Sequence, residues 1–216
     1  EVQMPKSIAE IASENPDFSI LVSALVKADL ATTLSQAGNY TVFAPTNDAF
    51  EALFDDLGVS GINDLSAEAL KPILLYHVLG EKKTASMITE GYYSTLSPAQ
   101  GSYVSLLIQT AMGVKLNNSA MVTSADIMAT NGVIHVIDKV ILPPTVVDIA
   151  IQNANFSTLV SAVAKAELVE TLSGTGPFTV FAPTNTAFSN LFTALEITGV
   201  ADLTKEDLTP ILTYHV

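Results

Sequence analysis

Three histidines, His77, His135 and His215, are the side chains here whose charge ordinarily changes near neutral pH, so acid–base or metal chemistry would have to start from them. Their surroundings in the sequence offer little. A metal site needs several converging ligands, and no cluster of His, Asp and Glu supplies them; the absence of cysteine removes thiolate ligands and disulfides together. Serines are plentiful, but none lies in Gly-x-Ser-x-Gly, and three histidines offer few general bases. No carboxylate pair stands out for sugar cleavage, and neither a phosphate loop nor a dinucleotide fingerprint occurs. The expectation is a chain without catalytic residues, metal or cofactor.

What the residues do offer is contact. Tyr76-His77 recurs as Tyr214-His215. Such a pair admits two readings: a buried ring whose nitrogens hydrogen-bond to backbone and fix a helix end against a sheet, or a partner contact. Asp126-Ile127 is open in the same way. It is either a strand edge with one side chain in and one out, or an acid and an apolar residue engaging a receptor together. Asp48 reads as a helix N-terminal acid favoured by the dipole, and its counterpart Thr186 caps equally well.

These residues are carried on a duplicated frame. Tyr40 to Phe50 returns as Phe178 to Phe188, and the offset of 138 holds without a gap from Ser7/Thr145 to Val78/Val216, with 39 identities in 72 pairs. In each copy a short apolar run around Val42-Phe43 reads as a buried strand, Pro45 ends it, and Thr46 and Asn47 read as caps of a helix starting near Asp48. Phe50, Leu53, Phe54 and Leu57 then mark that helix's apolar face. Before this corner, residues 7–34 have helical periodicity broken by Asn15-Pro16-Asp17; after it, Ser66 caps a helix running into Tyr76-His77. Beyond Gly80 the pattern turns to short β-rich runs at 92–96, 103–108, 114–116 and 121–124. Thr130-Asn131-Gly132 signals a turn, and Val133 to Leu142 reads as one long strand closed by Pro143-Pro144. The expected domains are 1–143, complete, and 144–216, the front half of a second copy. Its end at Val216 is read as that of a fragment.

The run Thr41 to Phe50 resembles the first signature box of fasciclin domains, and Asn131 to Asp138 resembles the second, with Tyr76-His77 and Tyr214-His215 matching the Tyr-His motif. The resemblance implies an α+β wedge, a small β-sandwich-like core with several short flanking helices, in tandem. It also implies an extracellular, cell-surface or periplasmic protein that acts in adhesion and is not an enzyme. In the family's animal members an Asp-Ile dipeptide before the second box and the Tyr-His region are implied integrin contacts. Here Asp126-Ile127-Met128 stands at the matching place, although Ser124-Ala125 in front departs from the animal motif. The implied partners are a surface or matrix protein or a polysaccharide, or a second copy of the chain; the alternative is a structural, self-associating spacer.

Composition agrees with this reading. With 49% hydrophobic and 14% charged residues the chain is globular, and a net charge of −13 argues against nucleic acid and anionic membranes. No apolar run reaches the roughly 18 residues of a membrane helix, so no membrane insertion is expected. The start Glu1-Val2-Gln3-Met4-Pro5 reads as a mature chain whose targeting sequence is gone. Asn39, Asn117 and Asn155 head Asn-x-Ser/Thr triplets, acceptors only in a eukaryotic secretory setting.

Overall fold

The structure is a computed structural model that describes residues 5–99, 102–174 and 176–216; the N-terminal run through Met4, read above as a trimmed start, lies outside them. The chain packs as two units, Glu1–Pro143 and Pro144–Val216.

The first unit opens with helices α1 (Ile8–Glu14), α2 (Ser19–Lys27) and α3 (Ala31–Ser35). Ser7 and Glu10 form a reciprocal capping box on α1, and Asn15 with Pro16 starts the single 3-10 turn that leads into α2. Strand β1 (Tyr40–Pro45) follows, then α4 (Asn47–Leu57) and α5 (Ala67–Tyr76). Thr46 alone caps α4, through a bond from Ala49 N–H; Asn47 is the first helical residue and reaches elsewhere. Its Oδ1 accepts from Ile20 N–H at 3.0 Å and its Nδ2 donates to the Pro16 carbonyl at 2.9 Å, tying the strand–helix corner to the start of α2.

The remaining strands are β2 (Val78–Leu79), β3 (Gly91–Ala99), β4 (Ser102–Gln109), β5 (Lys115–Leu116), β6 (Ala120–Ala129) and β7 (Gly132–Ile137). The α+β class holds, but the seven strands close in order into one barrel rather than facing each other as a sandwich. Closure comes from β1, which pairs antiparallel with β2 on one side and parallel with β7 on the other. A closed sheet leaves no edge to recruit another chain. The strand expected over 133–142 stops at Ile137, and its tail bends away so that Ile141 N–H meets His77.

Strand alternation splits the apolar residues into two clusters. Phe43, Leu79, Leu106, Ile108, Leu116 and Ile137 pack together on the strand side with Tyr76, while Val42, Ala44 and Ile134 pack against α1, α2, α4 and α5.

The second unit repeats the helices as α6 (Val146–Ile151), α7 (Ser157–Lys165), α8 (Val169–Ser173), α9 (Asn185–Ala194) and α10 (Lys205–Thr213) around one cluster that includes Leu159, Val163, Phe188 and Leu212. Its polar ties repeat too. Asn185 bridges Thr158 N–H and the Ala154 carbonyl, and Lys165 reaches the Val200 and Ala201 carbonyls as Lys27 reaches Ile62 and Asn63. Residues 178–183, the counterpart of β1, belong to no strand among the described residues.

Candidate partner-binding site

Asp126 stands on a bulge of β6. Ser124 faces Val136 and Ile127 faces Ile134, so Ala125 and Asp126 together oppose the single residue His135. The extra residue forces Asp126 into the left-handed region at φ 63°, a conformation Asp tolerates better than most side chains. Its N–H donates to His135 Nδ1 at 3.2 Å, and its Oδ1 accepts from Ala85 N–H at 2.8 Å. Since Nδ1 accepts, His135 carries its hydrogen on Nε2 and donates to the Lys83 carbonyl at 2.9 Å. Thr41 stitches the same stretch: its hydroxyl donates to the Glu81 carbonyl at 2.6 Å and accepts from Lys83 N–H at 2.8 Å. A buried threonine and a buried histidine thus hold residues 81–85 beneath an exposed acid. The second carboxylate oxygen of Asp126 has no hydrogen-bond partner among the described residues and can accept from outside. Ile127 is half-buried against the helix-side cluster, and Met128 beside it is exposed.

Tyr76 and His77 lie elsewhere. Both are buried, at 0% and 2% exposure, so neither meets the surface of the first unit. Tyr76 Oη donates to the Ser105 carbonyl at 3.0 Å and accepts from Asn117 Nδ2 at 2.9 Å. Burial pushes its phenol up to about 12, partly offset by the Asn117 bond. His77 Nδ1 donates to the Ile73 carbonyl at 2.8 Å and Nε2 accepts from Ile141 N–H at 3.0 Å. Burial pulls its pKa down to about 4, against a smaller raising effect of the Ile73 carbonyl. That is the backbone-bonded reading of the pair, joining the end of α5 to the chain after β7.

Tyr214 and His215 repeat the local geometry in another setting. His215 Nδ1 donates to the Ile211 carbonyl at 2.8 Å, as His77 does to Ile73, but Tyr214 is 90% exposed. Asp126-Ile127 and Tyr76-His77 are not brought into one surface site of the first unit: Asp126 is exposed, whereas Tyr76 and His77 are buried. Among the described residues no group of three or more His, Asp or Glu could hold a metal ion, and no helix is long and apolar enough to cross a membrane.

Two polar residues that hold this architecture were hidden in the sequence. Asn131 reads there as turn chemistry, yet it is buried, accepting from Ile8 N–H at 2.9 Å and donating to the Leu34 and Gln36 carbonyls. Asn117 reads as an isolated glycosylation triplet, yet its Oδ1 accepts from Leu107 N–H while its Nδ2 serves Tyr76. Long-range bonds of this kind leave no local pattern.

The family model described as Fasciclin domain matches residues 16–143 and 154–216. The chain is similar to protein sll1483 of Synechocystis, 44% identical over 138 residues, covering 64% of this chain and 74% of that protein. It is similar to human periostin, 30% identical over 190 residues, covering 87% of this chain but only 22% of periostin. It is also similar to the cell surface glycolipoprotein MPB83 of Mycobacterium bovis, 36% identical over 144 residues, covering 63% of this chain and 60% of the relative.

Proposed function

Since the chain belongs to the fasciclin domain family, we propose that it serves as an extracellular, cell-surface or periplasmic adhesion module that binds a surface or matrix protein or a polysaccharide. The carrying observation is the Asp126 bulge. A carboxylate on a barrel strand, with its backbone and one oxygen already bonded, loses little freedom when the second oxygen meets a ligand. Half-buried Ile127 and exposed Met128 supply apolar area alongside. Tyr76 and His77 are buried, which supports reading them as a support of the fold. The family and the cell-surface name of one relative support the setting.

The test is adhesion of protein-coated beads to matrix proteins, surface polysaccharides and beads bearing the protein itself. Saturable capture of one foreign ligand is expected. Asp126→Asn keeps an oxygen for Ala85 N–H while removing the charge, so it should leave the melting temperature nearly unchanged and weaken capture about tenfold, equivalent to about 1.4 kcal/mol. Capture that survives the substitution would place the contact elsewhere. The competing reading is a spacer whose copies associate; the exposed apolar face of the second unit favours it, and clumping with its own beads alone is its expected result.

A further inference from the structure

Asn131-Gly132 is the one place in the chain where glycine follows asparagine. In a flexible chain this dipeptide deamidates faster than other asparagine pairs, because glycine puts no side chain in the way of ring closure and lets the backbone turn freely. The Gly132 nitrogen attacks Asn131 Cγ, and the side-chain nitrogen leaves as ammonia. Water then opens the five-membered imide to aspartate or isoaspartate. Water is the only reagent consumed.

The fold holds each participant in that reaction still. Asn131 Oδ1 accepts from Ile8 N–H at 2.9 Å, and Nδ2, the nitrogen that would leave, donates to the Leu34 carbonyl at 2.7 Å and the Gln36 carbonyl at 2.8 Å. The backbone is clamped as well: Thr130 N–H donates to the Lys6 carbonyl at 2.8 Å, and the Asn131 carbonyl accepts from Tyr40 N–H at 3.0 Å. Thr130 and Asn131 form the turn between the paired residues Ala129 and Gly132, and Gly132 also lies opposite Tyr40 of β1. The fit is so close that a Cβ on Gly132 would stand 2.1 Å from the Tyr40 carbonyl oxygen. Both residues are buried. Ring closure requires the Asn131 side chain to swing onto the Gly132 nitrogen, which breaks all three side-chain bonds at once.

We infer that Asn131-Gly132 is a latent modification site: shielded while β7 is seated, it deamidates when β7 detaches, and the product keeps the first unit from closing again. Aspartate at this position sets a carboxylate oxygen against the Leu34 and Gln36 carbonyls, where Nδ2 had donated to both. Isoaspartate inserts one more backbone atom just before β7 and spoils its register with β1 and β6 together. A reversible opening is thereby made permanent, so the working life of the first unit is set by how often β7 opens.

The full 216-residue chain is incubated at neutral pH with and without guanidinium chloride, and peptide mapping by mass spectrometry follows the gain of one mass unit at each asparagine. In denaturant Asn131 should convert ahead of every other asparagine. In native buffer it should convert about a hundredfold or more slowly, falling behind Asn118, which is exposed and followed by serine. Gly132→Ala, measured in denaturant where folding plays no part, should slow conversion about tenfold or more. Ile134→Ala removes a buried side chain of β7 and should speed conversion in native buffer about tenfold or more, because a slow covalent step follows the population of the open state. On removal of denaturant, fresh chain should regain cooperative unfolding of the first unit and chain converted at Asn131 should not. Equal rates with and without denaturant, no acceleration by Ile134→Ala, or full recovery of the converted chain would each overturn the inference.

Discussion

At the scale of single residues, the three histidines are sorted by what surrounds their second nitrogen. His77 is bonded at both nitrogens to backbone in the core. Its folded pKa of about 4 lies below the ordinary 6.5, so the folded state binds fewer protons than the unfolded one. Stability from this group is therefore complete above pH 6.5 and is lost as pH falls towards 4. Protonation at Nε2 would set a donor against Ile141 N–H. Between pH 7 and pH 5 the first unit should lose about 2 kcal/mol by urea titration, and His77→Gln should flatten that dependence while lowering stability at pH 7. An unchanged pH profile in the variant would assign the acid sensitivity to other groups. His135, with both nitrogens equally committed, instead fixes the backbone of Asp126.

Elements are set by caps and turns that the two copies share, and the differences between copies are informative. Gly58 ends α4 in the left-handed region at φ 65°, which costs glycine nothing. The matching residue after α9 is Glu196, exposed and held at φ 57° with a side chain that disfavours this region. Glu196→Gly should stabilise the second unit by about 0.5–1 kcal/mol, the strain relieved exceeding the added freedom of the unfolded chain. Thermal unfolding of the variant checks it, and a lower midpoint would show that the Glu196 side chain contributes more than its backbone costs. Asp29 and Glu167, at φ 56° and 57°, repeat one strained turn in both copies, so duplication preserved that geometry without glycine.

At the scale of the molecule, the same stretch of sequence has two fates. Residues 40–45 are a barrel strand with neighbours on both sides, and Phe43 is fully buried; residues 178–183 have one backbone tie to His215, and Phe181 is 73% exposed. Amide hydrogen exchange should therefore show strong protection along β1 and β7, and weak protection over 178–183 except at Phe181. Equal protection of the two stretches would mean that the second unit is covered in solution. The sequence by itself determined the duplication, the strand–proline–helix corner, the caps at Thr46 and Ser66 and the α+β class, because these follow from periodicity and from local backbone chemistry. Tertiary structure alone decided that the strands close into a barrel, that Tyr76-His77 is buried while Asp126 is presented on a bulge, and that Asn131 spans three elements. Those outcomes depend on which residues meet across some 50 to 120 positions, as in the bonds from His135 to Lys83 and from Asn131 to Ile8, and such meetings follow from strand register and closure, which no window of sequence contains.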